Sequence, residues 1–196
     1  MKPRPSDLDH LKWIHKVGIH SFKGLKVLDL GCGSGFLCHQ AIQQGAERAI
    51  GVDIVKPDVS DEDCHWQFRQ ANLDSESWAK DLRDDHNLIL AFDIIEHLNA
   101  PFLFLTHCHR LLSDAGTLIL TTPNTLSWER FLKPQTWSGV SDPQHKVLFT
   151  RYSLSYLLKQ SGFQVEHYAA PLRSLKNLSA FSPQWGGQML FTAVKD

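Results

Sequence analysis

Nine consecutive residues, Val27-Leu28-Asp29-Leu30-Gly31-Cys32-Gly33-Ser34-Gly35, constrain this chain more than any other stretch. Lys26 to Leu30 is a short apolar run of the kind that forms a parallel strand covered on both faces. The glycines after it let the backbone turn sharply and approach a ligand closely, and a helix is predicted to begin near Gly35. Strand, glycine turn and helix in this order read as a nucleotide-cofactor loop. A G-x-G-x-x-G dinucleotide fingerprint needs a third glycine three residues after the second. Here the glycines are Gly31, Gly33 and Gly35, and Phe36 takes that third place, which disfavours an NAD-dependent oxidoreductase.

Ala49-Ile50-Gly51-Val52 reads as a second strand with Asp53 at its carboxyl end. A carboxylate there can accept both hydroxyls of a ribose, a geometry that serves any adenosine cofactor at the switch point of a doubly wound sheet. A glycine turn followed by an Asp is also found in ordinary loops; the ordered series of strand, glycine turn, helix and strand-Asp is what favours the cofactor site.

The remaining chain parses as alternating strands and helices. Trp66 to Gln70 is a predicted third strand, Glu76 to Leu82 a short helix and Asn87 to Phe92 the fourth strand. Asn99 to Leu112 follows as a helix with Pro101 in its first turn, where a missing N–H costs nothing. Asp114-Ala115-Gly116 is expected to turn into a fifth strand, Thr117 to Thr122, which Thr122-Pro123-Asn124 stops. Tyr152 to Ser161 has helical spacing of Leu154, Leu157 and Leu158, with Gly162 as its stop. Phe163 to Tyr168 and Gln188 to Val194 complete the sheet.

Four of these segments, VLDLGCGSG, GVDI, Leu88 to Leu98 (LILAFDIIEHL) and Arg110 to Asn124 (RLLSDAGTLILTTPN), together resemble a class I S-adenosylmethionine-dependent methyltransferase. The resemblance covers Gly24 to Val194 and is nearest to the small-molecule branch with the ubiquinone-type O-methyltransferases. It implies an α/β fold, a doubly wound Rossmann-like seven-stranded sheet, mostly parallel with an antiparallel last strand, and S-adenosyl-L-methionine as cofactor. Carried over residue by residue, it puts Asp29 and the backbone of Gly31, Cys32 and Gly33 around the methionine portion, with Gly35 opening the helix. Asp53 takes the ribose, Ile54 covers one face of the adenine, and Asn72 with Leu73 holds the adenine edge. Asn72 stands where Asp is more usual, and it also suits a simple turn. Phe92 ends the fourth strand beside the cofactor.

The resemblance also bears on Asp93, Glu96 and His97, since relatives with E-x-x-E-H here suggest a divalent cation held against substrate oxygens as a Lewis acid. Asp93 is one methylene shorter than Glu, and D-x-x-E-H is common in relatives without a metal, where these side chains cap the next helix and line the cofactor pocket. The metal-free reading is preferred, so no metal is assigned.

Leu126 to Phe149 contains Trp128, Arg130, Phe131, Trp137, Asp142 and His145 and is too long for a plain connection. Residues 123–150 are read as a substrate-cap insertion and residues 1–23 as an N-terminal cap, within one methyltransferase domain spanning 1–196. Together they would keep water from the reaction; a packed surface excursion is the plainer alternative. His145 is the candidate general base, because an imidazole suits proton removal near neutral pH, and His97 is the second candidate catalytic residue. Trp13, His15 and Lys16 lie on an N-terminal helix that could reach the cofactor. Arg173 and Lys176 could recognise an anionic acceptor. His107 and His109 point to different faces of one helix, so their spacing makes no metal site.

Twenty Lys and Arg against 21 Asp and Glu give a net charge of −1, so no broad basic face signals a nucleic acid. No apolar run has transmembrane length and the first residues lack the apolar core of a signal peptide, which points to a cytoplasmic protein. Cys32, Cys38, Cys64 and Cys108 form no C-x-x-C pair. The expected reaction is methyl transfer to oxygen or nitrogen of a small-molecule, sugar or lipid-like acceptor. RNA or protein methylation, or a non-catalytic cofactor-binding role, are the alternatives; the oligomeric state is left open.

Overall fold

A computed structural model describes residues 4–58, 65–171 and 184–196. Helix α1 (Pro5–Lys16) precedes β1 (Lys26–Leu30), α2 (Phe36–Gln43) and β2 (Arg48–Asp53). Next come β3 (Gln67–Gln70), β4 (His86–Phe92), a single-turn 3-10 helix (Ile95–His97), α3 (Pro101–Leu111) and β5 (Leu112–Pro123). Two short helices, α4 (Trp128–Leu132) and α5 (Ser138–Ser141), lead to α6 (Arg151–Gln160), β6 (Phe163–Ala169) and β7 (Gln188–Lys195). The seven strands lie in the order β3-β2-β1-β4-β5-β7-β6. The first five pair in parallel, and β7 runs antiparallel to both β5 and β6.

Strand periodicity explains why both faces are covered. Successive side chains point to opposite faces of a sheet, and here both sets are apolar. Leu28, Ile89, Leu118 and Leu120 join the core shared with Phe104, Leu105, Leu154 and Leu158 of α3 and α6. Val27, Leu88, Leu90 and Ile119 join the other, shared with Ile14 of α1 and with Leu37, Cys38 and Ala41 of α2. Each fully buried Leu contributes about 1.5–3 kcal/mol. Between β1 and β4 the chain changes face, and at the carboxyl ends of these strands a crevice opens.

Two predicted details differ. Residues 76–82 form turns and no helix. Backbone bonds here span three residues, as from Lys80 N to Ser77 O at 3.0 Å, and Ser75 Oγ takes the N–H of Ser77 at 3.3 Å, so side-chain acceptors compete with a helical ladder. Asp114-Ala115-Gly116, expected as a turn, lies inside β5. Its register against β4 jumps from Leu112 opposite His86 to Thr117 opposite Leu88, and this bulge absorbs the turn residues.

Candidate active site

The loop after β1 is built from left-handed glycines: φ is 78° at Gly31, 52° at Gly33 and 77° at Gly35. A side chain would be strained at each, and a Cβ on Gly35 would lie 2.1 Å from the Trp66 ring. The N–H groups of Gly31 and Cys32 both donate to Val52 O, at 2.8 and 3.2 Å. Asp53 completes the tie between loop and β2: Gly33 N donates to its Oδ2 at 2.8 Å and Val55 N to its Oδ1 at 3.1 Å. A carboxylate has about four acceptor sites, so these two bonds leave Asp53 free to accept from a vicinal diol.

Beside the loop lies a cavity of about 160 Å³ whose wall contains Asp29, Gly31, Cys32 and Phe92 of the expected cofactor set. Asp29 is 3% exposed. Burial pushes its carboxyl up to about 7; the nearby His10, and after it the Cys38 thiol, which donates to it across 3.8 Å, oppose that rise. A buried carboxyl with so weak a donor, facing a cavity, can accept from a cationic amino group. Burial, Asp29 and Asp53 push the Cys32 thiol up, so it acts here as a packing group.

Helix α1 closes the cavity with Ser6, Asp7 and His10, and Arg4 joins from its N-cap. The Arg4 guanidinium bonds Asp7 Oδ1 at 2.7 Å and its backbone N–H bonds Oδ2 at 2.8 Å. Burial alone would raise Asp7; the Arg4 hydrogen bonds outweigh it and hold the carboxyl below the usual range. Ser34 Oγ also reaches Asp7, at 3.4 Å, so α1 is fastened to the glycine loop.

Ile54, Asn72 and Leu73 lie outside the wall of this cavity. Ile54 is 61% exposed. Asn72 is exposed, and its Oδ1 accepts Asp74 N at 3.0 Å, which is the turn-forming arrangement and occupies the oxygen expected to meet the adenine. Leu73 is buried in the apolar core.

Asp93 follows β4 in a left-handed conformation, φ 51°, uncommon for a residue with a side chain. Thr121 Oγ1 donates to its Oδ1 at 2.8 Å, the Gln188 side-chain amide donates to the same oxygen, and His10 Nε2 lies 3.1 Å from Oδ2. Despite burial, these partners, His10 foremost, hold Asp93 below the usual range. Asp93 thus faces α1, β5 and β7, and the cation set suggested from sequence, Asp93 with Glu96 and His97, does not assemble. The residues that meet instead are Glu96, His97 and His145, whose donor atoms all lie within 4.8 Å of one another; a carboxylate and two imidazoles can hold a divalent cation.

Glu96 is 1% exposed; burial and the nearby Asp93 push its carboxyl up to about 8, while Thr122 Oγ1 donates to it at 3.0 Å. His145 Nε2 stands 4.0 Å from Glu96 and 3.9 Å from Asp142. His145 Nδ1 lies 3.1 Å from Gly139 O, and His97 Nδ1 lies 3.3 Å from Gln144 O. Both candidate catalytic histidines therefore sit against the 123–150 segment, outside the cavity wall. Neither caps α3. Asp74 accepts the N–H groups of Asn99 and Ala100 at 2.7 and 3.4 Å, just ahead of that helix, whose N-cap Ala100 has no side-chain cap.

Trp13, His15 and Lys16 are absent from the cavity wall, and Arg173, Lys176 and Cys64 lie outside the described residues. His107 meets Trp78 and His109 meets Phe163, on different faces as their spacing requires. Cys32, Cys38 and Cys108 are buried free thiols. Among the described residues no helix is long and apolar enough to cross a membrane. Sequence reasoning missed Arg4, Asp7 and His10. Their available signal was a charged residue and an imidazole spaced three apart on the helix that shields the loop.

The chain matches the methyltransferase-domain family over residues 7–168. Curated relatives include ubiquinone biosynthesis O-methyltransferases of Rhodopseudomonas palustris (strain BisA53), 28% identical over 116 residues, and Nitrobacter winogradskyi, 30% identical over 116 residues. Those alignments cover 58% of this chain and 45% and 44% of the relatives, so the chain spans about half the length of the curated relatives it matches. Among solved structures, an S-adenosylmethionine-dependent methyltransferase from Archaeoglobus fulgidus superposes with a TM-score of 0.70 at 21% identity, covering 95% of this chain and 94% of the other. A magnesium protoporphyrin IX methyltransferase from Synechocystis with bound S-adenosylhomocysteine gives 0.63 at 16% identity, covering 96% and 81%. The chain belongs to the methyltransferase-domain family, the class I S-adenosylmethionine-dependent methyltransferases, whose cofactor is S-adenosyl-L-methionine.

Proposed function

We propose that this chain transfers a methyl group from S-adenosylmethionine to an oxygen or nitrogen of a small-molecule, sugar or lipid-like acceptor. The observation that carries the reading is the cavity in which buried Asp29 and the Gly31–Cys32 backbone face the α1 residues. The residues present fit the cofactor. Asp29 suits an α-ammonium group, Asp53 keeps acceptor capacity for a ribose diol, and the left-handed glycines at positions 31, 33 and 35 shape a loop in which a Cβ would meet Ile94, Arg4 or Trp66. Bound there, S-adenosylmethionine supplies an electrophilic methyl on a sulfonium.

This chain's own residues supply position and shielding. Arg4, Asp7 and Ser34 draw α1 over the loop, which excludes water and strengthens the field of Asp29 and Asp93 on a cationic donor. Ile54 would border the adenine, the Leu73 backbone N–H would meet its edge, and the Asn72 amide would offer its NH2 in place of the occupied oxygen. Holding both reactants in near-attack geometry contributes about 7–11 kcal/mol. Glu96, His97 and His145 line the acceptor side, where the 123–150 segment meets the carboxyl ends of β4 and β5. Relatives named for ubiquinone biosynthesis O-methylation and a net charge of −1 favour a small-molecule acceptor over RNA.

An acceptor screen scored by S-adenosylhomocysteine release tests this, with phenols, catechols, sugars and amines beside RNA and protein substrates. The reading expects release with a small molecule. Release with RNA alone would contradict it, as would saturable cofactor binding with no release in any class.

A further inference from the structure

The sequence offered His97 and His145 as catalytic groups, yet the imidazole in the cavity wall, among the described residues, belongs to His10. Its ring lies flat on Phe92, with centroids 4.5 Å apart and planes 7° from parallel. Its Nε2 is 3.1 Å from Asp93 Oδ2, while Thr121 and Gln188 donate to the other oxygen. An ionised carboxylate only accepts, so Nε2 carries the hydrogen of that bond. In the neutral ring the lone pair then sits on Nδ1, which has no hydrogen-bond partner among the described residues. Stacking fixes the plane of the ring, Asp93 fixes its tautomer, and Asp93 is itself set by a left-handed backbone of a kind concentrated at functional sites. Such an imidazole, oriented by a carboxylate, is a general base by geometry.

We propose that His10, oriented by Asp93, takes the proton of a phenol-class hydroxyl acceptor during methyl transfer; this rests on the methyltransferase reading above. As the acceptor oxygen gains the methyl, the electron pair of the breaking C–S bond stays on sulfur, which leaves as a neutral thioether. The hydroxyl proton passes to His10 Nδ1, and the imidazolium faces Asp93. A phenolic hydroxyl, with pKa about 10, is far more acidic than an aliphatic alcohol and so gives its proton to an imidazole base more readily. The charged groups around the ring are Asp93 beyond β4, Asp29 on β1 and Asp7 on its own helix, with Arg4 neutralising Asp7. Asp93 is a positioning residue here, and His10 is the group that meets the acceptor.

The test uses the full chain, S-adenosylmethionine and a panel of phenols and catechols, with primary amines in parallel. His10→Gln is expected to lower kcat about 10²–10⁴-fold, far more than it weakens calorimetric affinity for S-adenosylmethionine. Pentafluorophenol, ionised before it binds, should narrow the deficit. Independently of any acceptor, ¹⁵N NMR of the neutral His10 ring should show hydrogen on Nε2 in the wild type and a mixed tautomer in Asp93→Asn. Hydrogen on Nδ1 in the wild type overturns the proposal whatever the turnover. So do unchanged turnover in His10→Gln, loss of cofactor affinity in step with rate, and methylation of amines but not phenols. Failure of the wild type to bind S-adenosylmethionine would instead overturn the methyltransferase reading itself.

Discussion

Replacing Asp29 by Asn should make the cofactor-free protein more stable and its hold on S-adenosylmethionine weaker. Asp29 is 3% exposed, and burial lifts its carboxyl from an ordinary 3.8 to about 7. A carboxyl raised in this way contributes stability that is complete below the unfolded value, 3.8, and is lost as pH rises to about 7. At about 1.36 kcal/mol per pH unit, the gap corresponds to a ceiling of about 4 kcal/mol. Integrated between about pH 5 and about pH 8, it amounts to about 2–3 kcal/mol. The Asp29→Asn variant keeps an oxygen for the Cys38 thiol and never ionises, so its advantage over the wild type should grow by that amount across the interval. Urea unfolding at both pH values without cofactor measures it, and Glu96, present in both proteins, cancels. Losing a charged contact of about 1.5–3 kcal/mol should also weaken S-adenosylmethionine about 10- to 100-fold. A stability difference that stays flat with pH, or unchanged affinity, would refute the assignment of Asp29 as a buried, cavity-facing anion site.

Three further outcomes follow from the same structure. Gly35→Ala places a Cβ against the Trp66 ring at a left-handed φ, so calorimetry should show cofactor affinity lost or strongly reduced while circular dichroism stays native. Leu118→Ala empties a fully buried site between β4, β7 and α3 and should cost about 2–5 kcal/mol in urea unfolding; a smaller cost would mean the core collapses around it. The metal-free reading assigns no cation to Glu96, His97 and His145, so exhaustive chelation should leave turnover unchanged; activity lost to a chelator and restored by magnesium or zinc would show that this donor set holds a working ion.

How much was legible beforehand depended on whether the signal was local. The apolar runs of β1, β4 and β5 and the glycine loop declare themselves within a few residues, and their partners follow from the parallel, doubly wound order. Asp29, Gly31, Cys32 and Phe92, which border the cavity, were legible because each sits next to a strand end. Residues 76–82 misled because Ser75 and Asn72 compete for backbone N–H groups, which helical spacing does not report. Distance in sequence hid the rest. His10 reaches Asp93 across 83 positions and Gln188 reaches it across 95, so D-x-x-E-H suggested a cluster that tertiary packing pulls apart. The group that forms instead takes its third member, His145, from the insertion, where no spacing rule connects it to Glu96.

The most direct test of the central claim is calorimetric titration of the purified chain with S-adenosylmethionine and, separately, with NADH, using Asp53→Ala as control. The account predicts saturable binding of S-adenosylmethionine, lost or much weakened in the variant, and no binding of NADH. A folded protein that ignores S-adenosylmethionine, or binds it equally well without the Asp53 carboxylate, would contradict it.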